Sequence, residues 1–113
     1  MADTGDYDIW MMNSRGNHKS RDHLWLDPDT DPEFWNFSFQ EIGEYDLPGC
    51  LDFLFSNRKE SKFKVIILGH SQGTTIATYT LAEKHPIMNS KVSLFIAIAP
   101  AVFFTYSDEP VFR

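Results

Sequence analysis

The chain has 113 residues, the size of one small domain or of a piece of a larger one. Sixteen Asp and Glu against ten Lys and Arg leave a net charge of −6, so there is no basic stripe to release counterions from a nucleic acid. Apolar residues at 42% and charged residues at 23% exclude disorder as the default, and a lone cysteine, Cys50, excludes a framework of intrachain disulfides.

The first 52 residues hold 12 acidic and 3 basic side chains, a balance of −9; residues 53–113 hold 4 and 7, a balance of +3. No Gly/Ser-rich or Pro-rich linker separates them, so the whole chain reads as one domain. The polar start, Met1-Ala2-Asp3-Thr4-Gly5-Asp6, lacks the basic and apolar regions of a signal peptide. The longest apolar run, Leu94 to Phe104, is 11 residues and contains Pro100. A membrane-spanning helix needs about 20.

In chain order, Tyr7 to Met11 is a short strand candidate. Asn13 to Glu33, rich in Asn, Ser, Asp, Gly and Pro, is a long loop. Within it Asp27-Pro28-Asp29-Thr30-Asp31 starts like a calcium loop. Its sixth position is Pro32 instead of Gly and its twelfth is Ser38 instead of Glu, so a solvated acidic turn is expected. Ser38 with Glu41 forms a capping box that starts a helix at Phe39. Pro48 implies a kink, or a restart capped by Asp46, and Leu51, Leu54 and Phe55 carry the apolar face on to about Asn57. Cys50 reads as a packing thiol on that helix. Asn36-Phe37-Ser38 fits an N-glycosylation acceptor, relevant only on a secretory route.

Phe63 to Leu68 follows, with an unbroken apolar run from Val65 to Leu68 that predicts a strand buried on both faces and ended by Gly69. A helix is predicted over Gln72 to Lys84, with Pro86 just past it. Val92 to Ala99 reads as a second buried strand, closed by Pro100. Strand, helix, strand is a βαβ unit, so the fold class is α/β.

At the strand-to-helix junction stands Gly69-His70-Ser71-Gln72-Gly73, a Gly-x-Ser-x-Gly pentapeptide. This is the setting of a nucleophile elbow. The turn is so tight that a side chain on Gly69 or Gly73 is expected to clash, and Ser71 is expected in a strained backbone conformation. That strain holds its hydroxyl proud of the sheet. The first N–H groups of the following helix are unpaired, and the N–H of Gln72 is placed to donate to the oxygen of a tetrahedral intermediate. Small Thr74, Thr75 and Ala77 let the helix approach the sheet. A phosphate-binding turn is disfavoured, because no Lys-Ser or Lys-Thr follows Gly73 and Gly-x-Gly-x-x-Gly is absent. The motif set requires neither a cofactor nor a metal.

Several segments together resemble the acid lipases, the gastric and lysosomal family of α/β-hydrolases: Tyr7-Asp8-Ile9-Trp10, Asn13-Ser14-Arg15-Gly16-Asn17, Ser20-Arg21-Asp22-His23, Phe34-Trp35-Asn36-Phe37-Ser38-Phe39, Tyr45-Asp46-Leu47-Pro48, Gly69-His70-Ser71-Gln72-Gly73-Thr74-Thr75 and Ala97-Ile98-Ala99-Pro100. They run in the family's order over most of the chain. Met12 departs from the glycine usual before Asn13. The resemblance implies a partial α/β-hydrolase fold over residues 1–113, a mostly parallel sheet with flanking helices. It lacks the family's N-terminal strand, its cap and its C-terminal acid and His region. It implies a lipase acting on acyl lipids, triacylglycerols or sterol esters, through an acyl-serine on Ser71, with Gln72 as oxyanion donor. A lipid–water interface and a secreted or lysosomal setting follow from the same resemblance.

The triad cannot be closed from this sequence. A serine hydroxyl needs a base, and the superfamily order is Ser, then Asp or Glu, then His. Downstream of Ser71 the one His is His85, which precedes Asp108 and Glu109. It stands about 20 Å from Ser71 at ~1.5 Å per helical residue. His70 is expected to pack, and His18 and His23 to be solvated. Alone, the chain is expected to be inactive and to leave apolar surface uncovered. The alternative function is a non-catalytic lipase fragment or pseudoenzyme that binds lipid or a partner lipase.

Overall fold

The computed structural model describes residues 2–58, 63–83 and 85–103. By backbone proximity the chain forms two compact units, residues 1–36 and 37–113.

The first unit is built of turns. It has 3-10 turns at Ala2–Thr4 and Pro32–Trp35 and no strand among its described residues. The expected strand over Tyr7 to Met11 is therefore corrected to irregular backbone, with Tyr7, Ile9, Trp10 and Met11 exposed. Among the described residues no neighbouring strand pairs with it, and an unpaired strand is not stable in water. Gly16, at φ 76°, lets the chain turn over Ser14 to Ser20, where Gly16 N donates to Ser20 O at 2.9 Å. The acidic turn is organised by its own backbone. The N–H of Asp27 donates to Asp31 Oδ2 at 2.7 Å and that of Asp29 to Asp27 Oδ1 at 2.8 Å, while Asp29 pairs with Arg21. His23 does more than face solvent: its Nδ1 accepts from the backbone N–H groups of Leu26 and Trp25, and its ring meets Phe34 edge-on.

The second unit opens on the predicted capping box. Ser38 N–H donates to Glu41 Oε2 at 2.7 Å, and Ser38 Oγ accepts from Gln40 N–H at 3.1 Å. Such a cap contributes roughly 1 kcal/mol. Helix α1 (Phe39–Glu41) runs straight into a π turn, Ile42–Asp46, and then into α2 (Leu47–Ser56). Pro48 neither restarts the helix nor uses an Asp46 cap; the Asp46 side chain makes no cap bond. The coil is widened instead. Leu47 N–H reaches back five residues to Ile42 O, which makes room for a proline ring that lacks an N–H and would collide with the carbonyl four residues before it. Cys50 is exposed on α2, not packed. Partial desolvation, and after it the Asp46 carboxylate, push its thiol above the ordinary range, so the reactive thiolate is disfavoured.

Strand β1 (Val65–His70), helix α3 (Gln72–Ala82), helix α4 (Pro86–Lys91) and strand β2 (Val92–Ile98) complete the unit. The strands pair in parallel, as the βαβ reading required. β1 runs one turn of pleat past Gly69 to His70, α3 stops at Ala82, and Pro86 opens α4, a helix the sequence reading did not contain. Pro is suited to a first helical position because the missing N–H there has no partner to lose.

The core lies on one side of this sheet. Ile42, Leu47, Leu51, Ile76, Ala77 and Met88 form its centre, with Val65, Ile67, Val92 and Phe95 from the strands against them. Register explains how Val92 and Phe95, three apart, share a face. Val65 pairs with Val92 and Ile66 with Leu94, so Ser93 is an extra residue in β2 and resets the alternation. The Ser93 hydroxyl donates to Val65 O at 3.0 Å at that irregularity. Helix α3 crosses the π turn closely at Gly43, where a Cβ would lie 2.7 Å from Tyr79 Cδ1 and 3.0 Å from Thr80 Oγ1. The buried Thr80 hydroxyl sits 2.7 Å from Gly43 O and 2.9 Å from Ile76 O, its proton directed between two carbonyls.

The expectation that both sheet faces are buried is corrected. Ile66, Leu68, Leu94 and Ile98 are 50%, 49%, 50% and 45% exposed. The described helices that pack on the sheet do so through the opposite face, where Val65, Ile67 and Phe95 point, so the outward residues of an otherwise apolar run meet water. Contiguous apolar surface of this kind drives association. Light scattering on the 113-residue chain is expected to give a mass above the 13.1 kDa of a monomer. Ile66→Thr with Leu94→Thr, which puts polar side chains of high strand propensity on the exposed face, is expected to move it toward the monomer. A wild-type chain running as a monomer contradicts this.

Candidate active site

Ser71 is the single residue between β1 and α3, with φ 51° and ψ −120°. A non-glycine residue at positive φ is uncommon and costs about 1–3 kcal/mol. Backbone bonds hold it there. Ser71 N–H donates to Ile98 O at the end of β2, at 3.1 Å. Ser71 O accepts from Thr74 N–H at 2.8 Å and from the Thr74 hydroxyl at 2.6 Å. Each such bond is worth ~0.5–1.5 kcal/mol net, enough together to offset the strain. Ser71 itself is exposed, so the corner presents its hydroxyl to solvent at the carboxyl end of β1.

The two elbow glycines serve different ends. A Cβ on Gly69 would stand 2.9 Å from Gly73 O, 3.0 Å from Gly73 C and 3.1 Å from Thr74 N, so the strand end and helix start touch there. A Cβ on Gly73 would meet nothing within 4 Å. The expected clash at Gly73 is thus corrected: the close approach is between Gly69's missing side chain and Gly73's backbone, and Gly73's own missing side chain points away from it.

Gln72 is the first residue of α3 and is exposed. Its N–H belongs to the first turn, whose donors the helix leaves unpaired. His70, expected to pack, is exposed next to Ser71. His85 caps α4 beyond the far end of α3, with a buried Nδ1 that has no hydrogen-bond partner among the described residues. His18 and His23 belong to the first unit, and Asp108 and Glu109 lie outside the described residues. Among the described residues no side chain hydrogen-bonds to the Ser71 hydroxyl.

Thr74 and Thr75 enter the site through their hydroxyls, and not only through the small size that the sequence pattern points to. Thr74 is fully buried at 0% exposure. Its hydroxyl accepts from Ala101 N–H at 2.8 Å while donating to Ser71 O, and the Thr75 hydroxyl donates to Ala101 O. The segment leaving β2, which includes Ala99 at φ 47°, is thereby fastened to the elbow. A threonine three residues after the turn residue, able to bond back to that residue's carbonyl, is the signal that could have revealed it.

Substitution separates the glycines. Gly69→Ala is expected to lower stability by about 1–3 kcal/mol, as overpacking against backbone does. Gly73→Ala, in open space and in a helix, is expected to be neutral or stabilising by up to ~1 kcal/mol. Urea denaturation of the two variants measures both; equal losses contradict the one-sided contact.

A family model described as alpha/beta hydrolase fold matches residues 2–113. The chain is 44% identical over 107 residues to the gastric triacylglycerol lipase of Bos taurus, covering 95% of this chain and 26% of that protein. It is 42% identical over 111 residues to lipase member K of Homo sapiens, 98% of this chain and 27% of the relative. Lipase member J of Homo sapiens is 42% identical over 113 residues, 100% of this chain and 30% of its own length. The chain thus spans between 26% and 30% of the length of these three relatives. With a strand, a strained serine corner, a helix and a parallel second strand in that order, the chain belongs to the alpha/beta hydrolase fold family, and within it its sequence resembles the gastric-type lipases.

Proposed function

We infer that Ser71 is the nucleophile position of a lipase-type carboxylic ester hydrolase, with the Gln72 N–H as one oxyanion donor and residues 1–113 as one part of an α/β-hydrolase domain. The observation that carries this is the Ser71 backbone at φ 51° and ψ −120°, with an exposed side chain, between a parallel strand and a helix. The names of the relatives, a triacylglycerol lipase among them, support acyl lipid esters as the substrate class. Triacylglycerols or sterol esters at a lipid–water interface, in a secreted or lysosomal setting, fit that class. The acidic balance argues against nucleic acid as a partner. No helix among the described residues is long and apolar enough to cross a membrane.

In the reaction, Ser71 Oγ bonds to the acyl carbon while the carbonyl π pair moves onto its oxygen, where the Gln72 N–H donates to it. The hydroxyl proton passes to a general base. When the carbonyl re-forms, the alcohol leaves with a proton, and an acyl-serine remains for water to cleave. No base reaches Ser71 among the described residues, so this reading takes the base from outside them.

That same observation favours a second reading, a non-catalytic lipase fragment or pseudoenzyme that retains the elbow without its triad. A fluorophosphonate probe separates the two. Labelling of folded wild-type chain that disappears in Ser71→Ala is expected of a competent nucleophile, and folded chain that takes no label favours the second reading.

A further inference from the structure

The Ser71 carbonyl and the Gln72 N–H belong to one peptide unit. That unit is planar and trans, so its C=O and N–H point in opposite directions, and fixing one aims the other. What fixes the carbonyl is visible: Thr74 N–H at 2.8 Å and Thr74 Oγ1 at 2.6 Å. The hydroxyl is in turn held by Ala101 N–H at 2.8 Å, in a pocket where Thr74 has no solvent exposure. The chain Ala101 N–H to Thr74 O–H to Ser71 C=O is part-buried, with Thr74 at its centre fully buried, and points one way. Hydrogen bonds in series polarise one another in a low-dielectric setting. A polarised carbonyl makes the N–H of its own peptide a stronger donor.

We propose that Thr74 is a positioning residue: its hydroxyl, anchored on Ala101, locks and polarises the Ser71–Gln72 peptide so that the Gln72 N–H faces the oxyanion formed at Ser71. This rests on the reading of Ser71 as nucleophile. Thr74 never touches the substrate. Thr75 binds the same Ala101 through its carbonyl but does not touch Ser71 O, so it shares the fastening of the β2 exit and has no part in aiming the peptide.

The test is the rate of fluorophosphonate labelling, whose transition state also places negative charge on an oxygen beside Ser71, measured on the folded 113-residue chain. Thr74→Val keeps the shape and removes the hydroxyl. It is expected to slow labelling roughly ten- to hundredfold, less than the 10²–10³ for deleting an oxyanion donor outright. Thr74→Ser restores the hydroxyl and is expected to label within about threefold of wild type, as is Thr75→Val, if aiming of the peptide and not general anchoring sets the rate. Thr74→Val labelling like wild type overturns the proposal, as does Thr74→Ser or Thr75→Val falling as far as Thr74→Val. Wild-type chain that takes no label counts against the nucleophile reading instead. The proposal is then decided by NMR, through the Ser71 carbonyl carbon and Gln72 amide proton shifts. Upfield movement of both in Thr74→Val but not in Thr74→Ser supports it, and unmoved resonances overturn it.

Discussion

A backbone corner at one residue organises the βαβ unit of this chain. Ser71 stands at positive φ without being glycine, which costs about 1–3 kcal/mol. The surroundings must therefore over-determine it, and they do so from three sides. Gly69 removes the Cβ that would strike Gly73, β2 accepts the Ser71 N–H through Ile98, and Thr74 takes the carbonyl. These contacts come from the strand before, the strand after and the helix between. The elbow is thus a product of the βαβ unit and not of the pentapeptide alone.

That dependence explains what could be read in advance. Ser71, the parallel pairing, the capping box at Ser38 and Glu41, and the extent of α3 were legible because each rests on local chemistry: a glycine-bounded turn, a hydroxyl with a carboxylate three residues on, an apolar run of strand length. Several of the misses involve partners distant in sequence or lacking, and the clash expected at Gly73 fails because its missing side chain points away from the turn. Tyr7 to Met11 has strand composition but no neighbour to pair with among the described residues. The π turn before Pro48 is one of several ways to accommodate a proline, and sequence does not choose among them. The Thr74 and Thr75 links to Ala101 span 27 and 26 residues, beyond any local pattern.

The apolar run of β1 predicts more burial than the described residues provide. Val65 to Leu68 has the composition of a strand covered on both faces, yet Ile66 and Leu68 lie half exposed. Local pattern and tertiary environment conflict there, and such conflicts mark where a chain's sequence anticipates a surface not provided by its own described residues. Relatives three to four times as long, by the 26% to 30% of their length that the chain spans, are consistent with that. Ser71 likewise has a shaped corner, and among the described residues no base is bonded to it.

The account stands on the conformation of one residue, and a crystal structure resolving the backbone at Ser71 measures it directly. Positive φ near 51° with the hydroxyl in solvent and the Ser71 N–H on Ile98 O is the predicted result. An ordinary helical or extended Ser71, or a hydroxyl turned into the core, contradicts it.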